Sequence, residues 1–254
     1  MIHLQNKTAL VTGSSRGIGR ATALALAEAG AHVIVHGRST EEPASVVAAI
    51  RAKGGNADAV SADLGTPDGP AQLAQQVRGI VGDRLDALVL NAGISMAARV
   101  TDYTTTDFDK LFAVNVRGTF FLVQHLLPIL GEGSSIIVTS SVTARTVIGK
   151  PDLESPSLLA YASTKGALET LVKNWAALLG PRGIRVNAIA PGVIDTDMSN
   201  FTKTEAGREA ALSMQALKRI GKPEDIAGVV VFLASEAARW ITGVSIPVDG
   251  GSKL

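Results

Sequence analysis

The strongest constraint on this chain is a glycine-rich turn set between a short β-branched run and a helical stretch. "TALVT" at 8–12 runs into "TGSSRGIG" at 12–19. From there Ile18, Ala21, Thr22, Ala25, Leu26 and Ala29 recur with the 3.6-residue period of a helix, up to Gly30. "HVIVH" at 32–36 follows, which completes a βαβ unit. Further short runs stand at "DALVL" (86–90), "SIIVTS" (135–140) and "IRVNAIA" (184–190), with helices predicted at about 41–53, 68–81, 105–113, 115–130, 158–179 and 223–235. Strands that alternate with helices build a parallel sheet covered on both faces. The chain has 254 residues and no linker, repeat or low-complexity segment, so it reads as one large α/β domain, 1–254. Residues 143–157 and 195–217 interrupt the alternation and are rich in turn formers or polar residues. Both follow strands, so they are expected as substrate loops beyond the strands' carboxyl ends.

Composition removes several classes of function. The formal net charge is +1, from 24 basic and 23 acidic residues spread along the chain, so no nucleic-acid or anionic-membrane footprint stands out. Zero cysteines exclude a disulfide framework, a thiolate zinc site and a cysteine nucleophile, and suit a reducing, cytoplasmic setting. No signal peptide or membrane-length run is read. The final Ser252-Lys253-Leu254 matches a peroxisomal address and leaves that location as an alternative to the cytoplasm. His3, His32, His36 and His125 show no metal spacing and read as surface or packed histidines, so no metal is expected. The partners left are small molecules and copies of the chain itself.

Glycines directly after a strand allow a tight turn and a close backbone approach, and the helix behind them offers unpaired N–H groups to a pyrophosphate. Gly13, Ser14, Ser15, Arg16, Gly17, Ile18 and Gly19 are therefore the candidate phosphate site. Their spacing, G-x-x-x-G-x-G, differs from the common G-x-G-x-x-G fingerprint. At the end of the second strand the sequence is His36-Gly37-Arg38-Ser39, with no acid for a ribose 2′-hydroxyl. Arg38, helped by Arg16 and next to Ser39, is expected to bracket the 2′-phosphate of NADP, with NAD as the alternative.

"YASTK" at 161–165 places Tyr161 and Lys165 four apart, on one face of a helix. A phenol titrates near pH ~10, and a neighbouring ammonium, with an oxidised nicotinamide as a second positive charge, lowers that value, so Tyr161 is expected to exchange protons near neutrality as a general acid or base. The same helix has an apolar stripe at Leu168, Leu171, Val172, Trp175 and Leu179, which Tyr161 could simply extend. The glycine turn upstream and a serine at a strand end favour the chemical reading. "TSSV" offers Ser140 and Ser141 as the hydrogen-bond donor to a carbonyl oxygen, and strand alternation lets only one face the site.

Taken in order, T-G-x-x-x-G-x-G, Asp63-Leu64, Asn91-Ala92-Gly93, Asn115, the serine, Tyr161-x-x-x-Lys165, Pro191-Gly192 and the tail "GKPEDIAGVVVFLAS…ITGVSIPVDGG" resemble the short-chain dehydrogenase/reductase family, in particular members like 3-oxoacyl-carrier-protein reductases. The resemblance covers nearly the whole chain. It implies a Rossmann-like three-layer sandwich with a seven-stranded parallel sheet, NADP(H), and interconversion of a carbonyl and a secondary alcohol. It also implies roles for single residues. Asp63 and Leu64 would flank the adenine, Asn91-Ala92-Gly93 would lie along the cofactor, and Ile194 and Thr196, after Pro191-Gly192, would hold the carboxamide. Lys165 would bind the nicotinamide ribose, beside Tyr161. By the same resemblance the catalytic serine is Ser141, with Ser140 as runner-up, and Asn115 holds a helix kink and a proton-relay water. From local sequence alone, Asn115 reads almost as well as a helix N-cap, and Asp63 as a cap before Pro67.

There are 19 residues between Ser141 and Tyr161, more than the family usually carries, including Lys150-Pro151-Asp152. Ile94, Met96, Val142, Val147, Ile148, Leu153, Met198 and Phe201 are the expected substrate lining, suited to a hydrophobic or aryl-alkyl carbonyl compound. A homotetramer joined through helices 115–130 and 158–179 and the C-terminal tail is implied by the resemblance. An NAD-dependent alcohol dehydrogenase and a non-catalytic nicotinamide redox sensor are the alternative functions.

Overall fold

A computed structural model of the protein describes residues 2–148 and 152–252. Strand β1 (Thr8–Val11), helix α1 (Gly17–Glu28), β2 (His32–Gly37), α2 (Glu41–Ala52), β3 (Asn56–Ser61), α3 (Gly69–Val81) and β4 (Ala87–Leu90) form the first half. The second half comprises α4 (Thr105–Phe112), α5 (Thr119–Leu126), β5 (Ser135–Thr139), α6 (Leu159–Leu179), β6 (Arg185–Pro191), α7 (Glu205–Ser213), α8 (Pro223–Ala234) and β7 (Ser245–Val248). All seven strands are parallel, in the order β3-β2-β1-β4-β5-β6-β7.

Two cores follow from the two-residue period of the strands. Leu10, Leu88 and Ile136 point to one face and pack with Leu73, Leu122 and Val172 from α3, α5 and α6. Their neighbours Val11, Val89 and Ile137 point to the other and pack with Leu26, Ile50 and Val230 from α1, α2 and α8. Burying each such side chain stabilises the fold by about 1.5–3 kcal/mol. The chain progresses outward in opposite directions from β1, which pairs with both β2 and β4. That reversal opens a crevice beyond the carboxyl ends of β1 and β4, where open α/β sheets hold ligands.

The structure amends several expectations. β3 and β7 are strands that the run-by-run reading did not pick out, although the family resemblance implied seven. β7 contains Pro247 and pairs with β6 alone, at the sheet edge where a missing N–H costs least. Residues 195–217, expected as a loop, contain 3₁₀ turns over Asp197–Lys203 and the helix α7. Asn115 is not an N-cap: it lies inside a π-helical turn, Ala113–Gly118, that joins α4 to α5 without a break. Asp63 is not a helix cap either, since its carboxylate closes a local turn by accepting from the Gly65 N–H at 2.8 Å. Lys150 and Pro151 of the long segment, and Lys253-Leu254 of the C-terminal tripeptide, lie outside the described residues.

Candidate active site

At the end of β1, Thr12 is buried, and its hydroxyl accepts the N–H groups of Asn91 at 2.9 Å and Ala92 at 3.0 Å. Asn91 returns the contact, its amide donating to the carbonyls of Thr12 and Gly13, each at 3.0 Å. The two strand ends are thus stitched together before the glycine turn begins. Gly13 has φ +60, and a Cβ there would stand 2.9 Å from the Ala92 Cα. A Cβ on Gly19 would stand 2.2 Å from the Gly13 carbonyl oxygen and 2.5 Å from the Asn91 amide nitrogen. Only glycine lets these two segments approach so closely. The Ser14 hydroxyl turns inward, donating to the Val11 carbonyl at 2.6 Å, whereas Ser15 and Ile18 are half-buried at the crevice. Arg16 is the N-cap of α1 and makes no side-chain cap bond, so the first helical N–H groups remain free for an anion. The turn therefore fits a dinucleotide pyrophosphate.

His36, set aside in the sequence reading as a surface or packed histidine, is part of this turn. Its Nδ1 accepts the Gly13 N–H at 3.0 Å, so its Nε2 carries the proton and donates to the Ala62 carbonyl at 3.1 Å. Burial pulls its pKa down to about 4, more than the Ala62 carbonyl and the charges of Glu42 and Asp63 raise it. The ring is a neutral strut between the glycine turn and the end of β3.

Arg16 and Arg38 each have a carboxylate partner of their own. The Arg16 guanidinium pairs with Asp197 at 2.7 Å, and that of Arg38 lies 3.7 Å from Glu42, which also accepts the Arg38 N–H at 2.9 Å. Both arginines are more than two-thirds exposed. Such pairs are worth about 0–1 kcal/mol and yield readily to a phosphate. Ser39 and Asp63 are exposed beyond the ends of β2 and β3, while Leu64 is buried against Gly118.

Across the crevice, Ser140 and Ser141 leave β5 in opposite directions. Ser140 donates to Glu169 at 3.1 Å, whereas Ser141 lies close enough to the Tyr161 hydroxyl to lower its pKa. The Ser141 oxygen is also 2.9 Å from the Thr143 hydroxyl and 3.2 Å from the Thr143 amide nitrogen. Lys165 is buried, with its ammonium 5.5 Å from the Tyr161 ring centroid and donating to the Thr139 carbonyl at 2.7 Å. Asn115 reaches the same place: its side chain accepts the Ile94 N–H at 2.9 Å and donates to the Ile94 carbonyl at 2.9 Å and to Thr164 at 3.0 Å. Gly93 leaves the space between them open, since a Cβ there would be 3.3 Å from the Asn115 oxygen and 3.6 Å from the Lys165 nitrogen.

The electrostatics differ from the sequence expectation. Burial pushes the Tyr161 hydroxyl up to about 12, against the lowering effect of Ser141. Burial also brings the Lys165 ammonium down to about 8. Desolvation of the phenolate outweighs Ser141, and Lys165, tied to Thr139, is not among the groups that lower the phenol.

On the far side, Pro191 ends β6 and the Gly192 N–H donates to the Val248 carbonyl at 3.2 Å. Ile194 is buried and zipped to Gly221, and the Thr196 methyl packs within 3.3 Å of where a Gly17 Cβ would stand. The 195–217 segment thereby rests on the glycine turn. On the near side, Ala98 and Ser157 form an antiparallel bridge, and the Tyr103 hydroxyl lies 3.0 Å from the Met96 carbonyl and 2.9 Å from that of Ser157. Of the expected lining, Val147, Leu153, Met198 and Phe201 are half or more exposed on these segments. Tyr103 and Glu169 carry no signal in the sequence, and Thr12, His36 and Thr143 carry none for the contacts they make. Each acts through side-chain contacts between segments remote in sequence or across a turn, which local patterning does not display.

A twisted parallel sheet with an uncapped, glycine-turned helix at its switch point, facing a clustered Ser, Tyr, Lys and Asn, defines a nucleotide-dependent oxidoreductase of the Rossmann class. A family model described as enoyl-(acyl carrier protein) reductase matches residues 13–253, and the chain belongs to this family of short-chain dehydrogenases/reductases. It is 42% identical to versicolorin reductase stcU of Emericella nidulans, over 98% of this chain and 96% of that one. A short chain dehydrogenase of Burkholderia cenocepacia in complex with NADP superposes with a TM-score of 0.91 at 39% identity, covering 99% of this chain and 100% of that one. The angucycline C-6 ketoreductase LanV with bound NADP gives 0.89 at 38% identity, over 100% and 99% of the two chains. Among the described residues no group of three or more His, Asp or Glu is placed to hold a metal, and no helix is long and apolar enough to cross a membrane.

Proposed function

We propose that the protein reduces a ketone or 3-oxo compound to a secondary alcohol with NADPH. The observation that carries this reading is the pairing of Tyr161 with Lys165 at 5.5 Å on α6, beside Ser141. NADPH, when bound, supplies the hydride that adds to the carbonyl carbon. Gly13 to Gly19 hold the pyrophosphate, Arg38 and Arg16 with Ser39 the 2′-phosphate, and Asp63-Leu64 the adenine. Asn91-Ala92-Gly93 and the Pro191-Gly192-to-Thr196 segment, through Ile194 and Thr196, flank the nicotinamide end. Tyr161, which keeps its proton across neutral pH, transfers that proton to the carbonyl oxygen as charge grows there. Ser141 donates a hydrogen bond to the same oxygen. Lys165 adds positive charge beneath the ring and binds the ribose, with Asn115 holding the floor of the site. The exposed Val147, Leu153, Met198 and Phe201 suit an apolar substrate.

The NADP-bound solved structures and the names of the reductase relatives support the cofactor and the direction. A homotetramer is supported by apolar side chains left open on the α4, α5 and α6 faces, namely Phe108, Phe120, Phe121 and Leu178, and by Trp240 near the C-terminus, which is 97% exposed. The absence of cysteine supports a cytoplasmic location.

The test is consumption of NADPH and of NADH at equal concentration with a panel of aryl-alkyl ketones and 3-oxo esters. Turnover with a preference of at least tenfold for NADPH is expected. Preference for NADH would overturn the reading of Arg38, and tight NADPH binding without turnover of any carbonyl compound would make the protein a sensor.

A further inference from the structure

We propose that Thr143 is a positioning residue for this reduction: its hydroxyl and its backbone N–H both donate to Ser141, which turns the single Ser141 proton away from its own turn, toward Tyr161 in the free site and toward the substrate oxygen once a ketone is bound. The inference rests on the proposed roles of Ser141 and Tyr161.

A serine hydroxyl has one proton and two acceptor lone pairs. The Thr143 hydroxyl at 2.9 Å and the Thr143 amide nitrogen at 3.2 Å occupy both acceptor directions. What remains is the proton, and the Tyr161 hydroxyl, whose pKa Ser141 lowers, is the group it can serve. If Ser141 instead donated to Thr143, Tyr161 would have to spend its own proton on Ser141, and the proton meant for the substrate would point the wrong way. A hydroxyl that accepts from a second hydroxyl also becomes a stronger donor, so the chain Thr143 to Ser141 to Tyr161 favours the phenolate that forms as the proton leaves.

The turn that carries Thr143 is clamped independently of Thr143 itself. The Ala144 N–H donates to the Ser141 carbonyl at 3.0 Å and the Thr146 N–H to that of Val142 at 3.0 Å. Arg145 pairs with Glu169 at 2.6 Å, and Glu169 also accepts from Ser140 at 3.1 Å and from Ser245 at 2.7 Å. One carboxylate on α6 therefore fixes the residue before Ser141 and the residue two after Thr143. Thr143 is only partly buried, so an isosteric valine fits without refolding the turn.

The experiment compares Thr143→Val, Thr143→Ala and Thr143→Ser, alone and combined with Ser141→Ala. Thr143→Val and Thr143→Ala are expected to lower kcat for ketone reduction about tenfold, with the KM for NADPH unchanged. In alcohol oxidation, which needs the phenolate, the rising limb of the kcat–pH profile is expected to move up by roughly half a pH unit. Thr143→Ser should return both values to within about twofold of the parent, and in the Ser141→Ala background the valine should cost nothing further. A parental rate and pH profile in both Thr143→Val and Thr143→Ala would overturn the proposal. So would a serine variant as impaired as the valine one, or an undiminished loss in the Ser141→Ala background. Full turnover by Ser141→Ala or Tyr161→Phe would instead remove the underlying proposed function, and this inference with it.

Discussion

Tyr161 and Lys165 are perturbed in opposite senses by the same cause. Burial makes the phenol hold its proton up to about 12 and lets the ammonium lose one near 8. At pH 7 the pair is therefore a neutral acid above a cation, the arrangement reduction needs. The rate of ketone reduction is expected to be flat from pH 6 to 7.5 and to fall above about pH 8 as Lys165 loses its charge, while a fall beginning below pH 7 would contradict this. His36 makes a prediction about stability instead of rate. Its folded pKa lies below the unfolded 6.5, so between pH 6.5 and about 4 the unfolded chain binds a proton that the folded one refuses. Its contribution is complete above pH 6.5 and is lost as the pH falls toward 4, by about 3 kcal/mol at most. Urea unfolding at pH 7, 5.5 and 4.5 should show this slope in the parent and a shallower one in His36→Asn. Arg38→Ala is expected to raise the KM for NADPH at least tenfold with little change for NADH, measured at saturating ketone.

Two connecting segments meet at Tyr103, whose single hydroxyl lies within reach of both the Met96 and the Ser157 carbonyls. Without it, residues 94–104 and 152–157 are joined mainly by the Ala98–Ser157 bridge and the exposed Arg99–Glu154 pair at 3.5 Å. Tyr103→Phe is expected to raise the ketone KM about three- to tenfold with kcat within twofold, and to speed amide hydrogen exchange in both segments; unchanged exchange would show that the bridge alone suffices. At this scale the sequence was legible where side chains announce their environment. β1, β2, β4, β5 and β6 carry apolar or β-branched runs, and α6 begins within one residue of the start its sequence predicts. β3, "NADAVS", has a single β-branched residue and takes its extended form from pairing with β2 over six positions, a tertiary effect. Helix α7 begins at a Thr204 cap that accepts the Gly207 N–H at 3.2 Å, and its polar sequence hides among turn formers. The choice of Ser141 over Ser140 rests on the family resemblance, and Ser140 is occupied with Glu169 at 3.1 Å. The Asp197 partner of Arg16 had no signature in sequence, because it lies 181 positions away.

For the molecule as a whole, the strand order fixes where chemistry happens. Because β1 lies between β2 and β4, the phosphate turn, the Asn91 stitch and the β5 serine all emerge on one edge, and α6 crosses it with Tyr161 and Lys165. The apolar surface left over on α4, α5 and α6 has an assembly consequence. Phe120→Glu combined with Leu178→Glu is expected to lower the mass in multi-angle light scattering from that of a tetramer to that of a dimer or monomer, and a parent that is already monomeric would refute the assembly. The central claim, a hydride delivered to a carbonyl carbon under proton donation from Tyr161, is tested most directly by isotope transfer. With NADPH deuterated at the transferable C4 position and an aryl-alkyl ketone, the parent should place one deuterium on the carbinol carbon. Tyr161→Phe should still bind the nucleotide yet form labelled alcohol at least about a thousandfold more slowly. Labelled alcohol formed by Tyr161→Phe at the parental rate, or alcohol from the parent without deuterium at that carbon, would contradict the account.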